Sequence, residues 1–354
     1  MQLSKNQLGL LLKTKIVVDP ASQIPVYKQL VQSIENLVNE KGYQNGDFIP
    51  SMNELANELQ ISKETVKKAY SILRDKKIID SVHGKGFYIT NDGVKKNRIL
   101  LLFDKLSTYK QVLYQSFATK IGPLSEIIIR LHNQDPELFE RFIDENVDHF
   151  DYYIVTPHFS LDQAIQKRVI RSLKKIPNRK LILLDRYIED LPGNFGSAYQ
   201  DFEGDIYAGL TQGLSALRKF QKLNVVSMPG SLYAPLIERG IKRFCSEHHI
   251  NYKIHQVISE EKIQKQEVFL ILNSQLDLEL IELIRFAKRK GYKIGKDIGI
   301  ISYNESPINE IISDGLTVLS TNFKQMGESV ANMITGKSFK KIKCDFQMIR
   351  RNTF

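Results

Sequence analysis

The run Ser62-Lys63-Glu64-Thr65-Val66-Lys67-Lys68 sets Lys63, Thr65 and Lys67 on one side of a helical repeat whose other side is Val66, Ala69, Tyr70 and Leu73. At the amino end of such a helix, unpaired backbone N–H groups attract a phosphate. Lysine and threonine side chains placed there can reach base edges in a major groove. A second feature is His83-Gly84-Lys85-Gly86, where small residues permit close approach and a cation can lie against a backbone or in a minor groove. Residues 63–85 hold seven Lys/Arg (Lys63, Lys67, Lys68, Arg74, Lys76, Lys77, Lys85) against three acids, a local excess of four. The chemistry on offer is contact with a polyanion.

Another set of polar groups recurs at the ends of apolar runs: Asp104-Lys105-Leu106-Ser107-Thr108-Tyr109, Thr156-Pro157-His158-Phe159, Asp185-Arg186-Tyr187, Asn273-Ser274-Gln275 and Tyr303-Asn304-Glu305. Planar hydrogen-bonding forks beside aromatic rings suit a polyhydroxylated ligand, because the forks pair with vicinal hydroxyls while rings pack on C–H faces. Catalysis finds no comparable set. No Gly-x-Gly-x-x-Gly follows the first strand of this region, and no complete Gly-x-x-x-x-Gly-Lys-Ser/Thr or Gly-x-Ser-x-Gly occurs. The seven histidines lack His-Glu-x-x-His spacing. Neither a cofactor nor a metal is expected.

The elements that must position these groups follow two different rhythms. Up to residue 97 the pattern is helical with short connectors. Val26, Leu30, Ile34 and Leu37 mark a first helix. Ser51 with Glu54 forms a capping box for a second, and Ser62 caps a third. The runs 78–82 and 86–89 read as a hairpin joined by His83-Gly84-Lys85. Three helices and a two-stranded ribbon describe a winged helix-turn-helix over residues 1–90, and the polar stretch 91–97 reads as a linker. From Arg98 onward, strand candidates at 99–103, 126–131, 152–155, 181–184, 225–228, 268–272 and 298–302 alternate with helical patterns. Continuous apolar strands between helices mean parallel sheets covered on both faces. The expected fold class is therefore α/β, with the winged helix joined to a two-lobed domain at 98–354. Lobe 1 is expected at about 98–199 and 303–337, and lobe 2 at about 200–302 and 338–354.

Composition agrees with a folded, multi-domain chain. It has 354 residues, 42% hydrophobic and 25% charged, with a net charge of +10. Two cysteines, Cys245 and Cys344, are too few for a disulfide framework and fit a reducing compartment. The apolar stretch Leu8–Leu12 is shorter than a secretory core or a membrane span, so a cytoplasmic location without membrane attachment is expected.

The blocks Ile49-Pro50-Ser51-Met52-Asn53-Glu54-Leu55-Ala56, Ile61–Ala69 and His83-Gly84-Lys85-Gly86-Phe87-Tyr88 resemble the GntR-type winged-helix domain over about residues 22–90. That resemblance implies binding to a double-stranded DNA operator through Ser51, Asn53, Ser62, Lys63 and Thr65, with Lys67, Lys68, His83, Gly84 and Lys85. Asn53 stands where the family usually has arginine, and asparagine can read adenine with two hydrogen bonds. The later segment resembles the effector domain of LacI/GalR-type regulators, which shares its fold with periplasmic sugar-binding proteins. The resemblance rests chiefly on Asp297-Ile298-Gly299-Ile300-Ile301-Ser302-Tyr303-Asn304-Glu305 and the helix beginning Phe323. Looser blocks are Leu183–Arg186 with Asp201–Gly204, and Glu238–Phe244. Effector contacts implied or suggested by these loops and blocks are Asp104, Ser107, Tyr109, His158, Arg186 and Tyr187. Asp201, Arg239, Asn273, Gln275 and Asn304 complete the set. The sequence departs from the family at Ser274, where an aspartate usually follows the asparagine, and at Ile237, where an arginine is usual.

The reading that results is a homodimeric, ligand-responsive transcription regulator, a repressor of carbohydrate-utilisation genes released by a monosaccharide or sugar derivative. An activator, or a regulator sensing a nucleoside or amino-acid-like ligand, is the alternative. An enzyme acting in the α/β lobes is the remote one. A GntR-type domain fused to an aminotransferase-like domain would need a longer chain and a Schiff-base lysine after a strand.

Overall fold

The computed structural model describes residues 16, 18, 19, 22, 24–39, 45–82, 85–90, 96–123, 125–227, 231–272 and 278–354. The chain divides between Asn97 and Arg98 into two units. In the first, helices α1 (Val26–Asn39), α2 (Met52–Leu59) and α3 (Lys63–Asp75) pack around Leu30, Ile34, Leu55, Val66 and Leu73, each fully buried. Burying each such side chain contributes about 1.5–3 kcal/mol. The expected ribbon of β2 (Ile79–Val82) and β3 (Gly86–Ile89) gains a third strand, β1 (Phe48–Ile49), paired as Phe48↔Tyr88 and Ile49↔Phe87. A two-residue strand carries no periodicity of its own, and Gly46 at φ +93° supplies the turn that brings it in. The Tyr70 hydroxyl donates to Pro50 O at 2.7 Å while its ring meets Phe87 edge-on at 4.8 Å, tying α3 to both the α2 entry and the sheet.

The second unit has two lobes, each built on a six-stranded sheet. Lobe 1 orders its strands β14-β8-β7-β6-β4-β5, and lobe 2 orders them β10-β9-β11-β12-β13-β15. In lobe 1 these are β4 (Asn97–Phe103), β5 (Ser125–Leu131), β6 (Tyr152–Val155), β7 (Leu181–Asp185), β8 (Gly196–Tyr199) and β14 (Lys341–Lys343). In lobe 2 they are β9 (Lys222–Val226), β10 (Tyr252–His255), β11 (Glu267–Ile271), β12 (Ile298–Tyr303), β13 (Thr317–Thr321) and β15 (Phe346–Ile349). The ladders described are parallel except β13 with β15. Helices α4 (Thr108–Ile121) and α11 (Phe323–Thr335) cover one face of lobe 1. Helices α7 (Phe202–Gln212) and α9 (Ala234–His248) cover one face of lobe 2, and α10 (Leu278–Arg289) covers the other.

The expected lobe boundaries need correction near the carboxyl end. Residues 317–321 form a central strand of lobe 2 rather than lobe 1, and 341–343 form the edge strand of lobe 1 rather than lobe 2. The chain thus crosses between lobes at 200–201, 322 and 344–345. The crossings are tied to one another: Cys344 N–H donates to Tyr199 O at 2.8 Å and Asn322 N–H to Asp345 O at 2.8 Å. Most of the expected linker, residues 91–95, lies outside the described residues.

Candidate effector cleft and nucleic-acid interface

In the first unit, both predicted caps are made. The Ser51 hydroxyl accepts the Glu54 N–H at 3.3 Å while the Glu54 carboxylate accepts the Ser51 N–H at 2.7 Å. The Ser62 hydroxyl accepts the Thr65 N–H at 3.1 Å and meets the Thr65 hydroxyl at 2.8 Å. The serines therefore hold the ends of α2 and α3, and Thr65 is half-buried against Ser62 rather than free on the exposed face. Asn53, Lys63, Lys67 and Lys85 are exposed. Lys67 leans on Glu64 at 3.6 Å, a solvated pair that contributes little. Lys68 lies 4.0 Å from the centre of the Tyr27 ring, so it braces α3 against α1. His83 and Gly84 lie outside the described residues.

In the second unit, the carboxyl ends of the strands gather a buried polar chain. Asp104 follows β4, and one oxygen takes a hydrogen bond from the Lys110 ammonium, both residues being fully buried. Its other oxygen has no hydrogen-bond partner and lies 3.6 Å from His158 Nδ1. His158 Nε2 lies 3.2 Å from Asp185 Oδ2, which also accepts the Tyr109 hydroxyl at 3.3 Å. Asp185 Oδ1 accepts the Gln200 amide at 2.5 Å, and Gln200 Oε1 accepts the Thr321 hydroxyl at 3.0 Å. The chain thus runs from inside lobe 1 to a strand end of lobe 2. Burial pushes the Asp104 carboxyl upward, but the neighbouring His158 ring and the Lys110 ammonium outweigh it and hold it well below the usual carboxylate range. Burial and the Asp185 charge push the Tyr109 hydroxyl upward, so it stays protonated and donates.

Lobe 2 closes on this chain with Tyr233, which meets the His158 ring edge-on at 4.9 Å and stacks on Phe202 at 4.4 Å. The Arg186 guanidinium lies 5.6 Å from the same ring and donates to Pro157 O at 3.2 Å. From β12, the buried Tyr303 hydroxyl and Asn304 Oδ1 have no hydrogen-bond partner. Asp185 (φ +71°) and Asn304 (φ +72°) end strands in the two lobes with the same left-handed backbone, a conformation Asp and Asn tolerate and one that aims side chains away from the sheet. Beside the chain, a cavity of about 410 Å3 opens between the lobes, lined from lobe 1 by Val112, Phe323 and Lys324 and from lobe 2 by Glu305, Thr321 and Arg351. That volume suits a small ligand.

The structure brings together Asp104, Ser107, Tyr109, His158 and Arg186 of the predicted set, while Asn304 follows β12 in lobe 2, where its N–H donates to Leu319 O. Three others lie elsewhere. Tyr187 accepts Lys341 at 2.7 Å near the edge of lobe 1, Asp201 caps α7, and exposed Arg239 pairs with Glu203 at 2.9 Å. Asn273 and Gln275 lie outside the described residues. Sequence reasoning missed Lys110, Gln200, Tyr233 and Tyr303 as site members. Lys110 carried a signal, since it occupies the i, i+3, i+7 stripe of Leu113 and Phe117, a place that periodicity reserves for apolar residues. Among the described residues no helix is long and apolar enough to cross a membrane, and no cluster of three metal-ligating side chains occurs.

A winged helix-turn-helix joined to a cleft of this architecture defines a transcriptional regulator with a DNA-binding domain. Residues 26–89 match the model of bacterial regulatory proteins of the gntR family. The chain is 33% identical over 100 residues to the HTH-type transcriptional repressor YtrA of Bacillus subtilis, covering 28% of this chain and 74% of that one. It belongs to the gntR family. The second unit shares its fold with LacI-type regulators. The trehalose repressor from Escherichia coli superposes with a TM-score of 0.57 at 12% identity, covering 72% of this chain and all (100%) of that one. A periplasmic binding protein/LacI transcriptional regulator from Alkaliphilus metalliredigens, complexed with D-xylulofuranose, gives 0.53 at 14% identity over 73% of this chain and 99% of that one.

Proposed function

We propose that the chain is a homodimeric repressor that leaves its operator when a carbohydrate fills the cleft between the lobes. The observation that carries the ligand class is the presence, at strand ends of both lobes, of buried polar atoms without partners, Asp104 Oδ2 in lobe 1 and the Tyr303 hydroxyl and Asn304 Oδ1 in lobe 2. A buried polar group left unpaired costs about 1–3 kcal/mol. A ligand rich in hydroxyls satisfies acceptors and donors at once. The sugar named with one structural neighbour and the trehalose repressor support the same class. On the DNA side, Lys63 and Lys67 enter the groove, with Thr65 holding the start of the helix against Ser62. Asn53, His83, Gly84 and Lys85 approach the backbone, Lys68 braces the helix against Tyr27, and the ends capped by Ser51 and Ser62 present N–H groups to phosphates. Two such domains in a dimer read half-sites about 34–36 Å apart, so a change in lobe closure alters their register. Exposed apolar side chains on lobe 2, Leu278, Ile308 and Ile311, favour a second copy as partner.

The test is a thermal-shift screen of the full chain against monosaccharides, sugar phosphates, nucleosides and amino acids. A ligand at 100 times its dissociation constant stabilises the fold by about 2.7 kcal/mol. A sugar that raises the melting temperature and also releases operator DNA establishes the reading. Shifts confined to nucleosides or amino acids overturn the carbohydrate.

A further inference from the structure

The two lobes treat the amino-terminal edges of their sheets differently. In lobe 1 much of the charge there is paired, although Lys174 and Arg179 stay exposed: Arg98 lies 3.3 Å from Glu126, its N–H donates to Asp151 at 2.9 Å, and Lys175 meets Asp144 at 2.5 Å. In lobe 2 the same edge is formed by the turns before β9, β10, β11 and β12. Backbone bonds join them into one strip, with Leu223 N–H donating to Asn251 O, Gln221 N–H to Gln266 O and Gln266 N–H to Asp297 O. At strand spacing the strip is about 14 Å across. Most of its acids are already taken: Glu260 pairs with Arg289 at 2.6 Å, Glu267 with Lys222 at 3.5 Å and Asp297 with Lys265 at 3.5 Å, while Glu261 stays exposed. Six further cations are exposed, Arg218, Lys219, Lys293 and Lys296 on these turns, Lys253 at the start of β10 and Lys288 in the last turn of α10, and none has an ion-pair partner among the described residues.

We propose that this edge is a second polyanion-binding surface, which takes duplex DNA by its phosphates without reading sequence. Protein–protein interfaces centre on aromatic and apolar side chains and are depleted in lysine. Lysines outnumber the exposed apolar side chains at or near this edge, Tyr252 and Val257, and Leu278, Ile281, Ile308 and Ile311 lie on other segments of the lobe. A phosphate backbone needs only cations. The edge is also the end of the sheet opposite the carboxyl ends that face the cleft, so its occupation does not compete with an effector. A molecule holding an operator through its winged helix would then retain a second segment of duplex.

The full chain carrying Lys63→Ala and Lys67→Ala serves as parent, which weakens the winged-helix contribution. It is titrated with a duplex of arbitrary sequence over a salt series, with and without Lys253→Gln, Lys293→Gln and Lys296→Gln. All three added changes are on exposed side chains, and an unchanged melting temperature checks that the lobe is intact. Each phosphate contact adds about 0.9 to the slope of log K against log salt. The added changes should flatten the slope by about 2–3 and weaken binding at low salt at least tenfold. Equal slopes and affinities overturn the proposal. So does a variant that keeps its DNA slope but loses binding to polyglutamate, because the edge would then serve an acidic protein. Failure of the carbohydrate reading shows in the melting screen and leaves these slopes untouched.

Discussion

His132 lies under the polar chain as a neutral ring. Its Nδ1 accepts the Gln134 N–H at 3.2 Å, which leaves Nε2–H to donate to Thr156 O at 3.0 Å, and the ring stacks on Phe159 at 4.5 Å. Burial pushes its pKa down to about 4. An unfolded histidine titrates near 6.5, so His132 contributes stability fully present above about pH 6.5 and lost as pH falls towards 4, about 3 kcal/mol in all. Denaturant unfolding of wild type at pH 7.5 and pH 4.5 should show this loss, and His132→Phe should shrink it; equal pH dependence in both proteins would contradict the assignment. Lys110 belongs to the same scale. Removing it leaves the Asp104 carboxylate buried with its main counter-charge gone, so Lys110→Met should cost about 3–5 kcal/mol. Asp104→Asn combined with Lys110→Met should cost less than the sum of the two single changes. Additive losses would mean that the pair is not coupled.

At the scale of elements, what was legible in the sequence is what local chemistry decides. The caps at Ser51 and Ser62 are settled within four residues, and both were readable. Ser62→Ala should destabilise the first unit by about 1 kcal/mol, measured by its denaturation midpoint. Strands with strong apolar runs, such as Leu181–Asp185, were readable too. Gly196–Tyr199, Tyr252–His255 and Lys341–Lys343 were not, because small, polar or charged residues there take strand form only through their neighbours in the sheet. Close helix contact is equally non-local. A Cβ at Gly327 of α11 would collide with the Ser116 hydroxyl and the Leu113 carbonyl of α4. Gly327→Ala should therefore cost about 1–3 kcal/mol by overpacking, despite alanine's better helix propensity. Unchanged or raised stability would show that the helices can separate freely.

For the whole molecule, the division near residue 97 and the two-lobed plan were visible as a change of rhythm, whereas the route of the last crossings was not. Nothing in 317–321 or 341–343 states which sheet it joins; that depends on partners elsewhere in the chain, residues 301–303 and 346–349 for the first and, more than 100 residues away, Gly196–Tyr199 for the second. The cleft was half legible for the same reason. Strand-end loops could be listed by pattern, but the pairing of Asp104 with a lysine one helical turn into α4 needed the fold. Operator affinity should fall steeply with salt, and Lys63→Ala with Lys67→Ala should flatten the slope by about 2 if both touch phosphates. Gln200 has a mechanical meaning as well. It sits on one crossing segment and clamps Asp185 on one side and Thr321, the last residue before another crossing, on the other. Such a clamp acts as a detent, giving the hinge a preferred angle and a stiffness about it. With Gln200→Ala the lobes should sample a broader range of openings, seen as a widened distance distribution between spin labels placed on the two lobes.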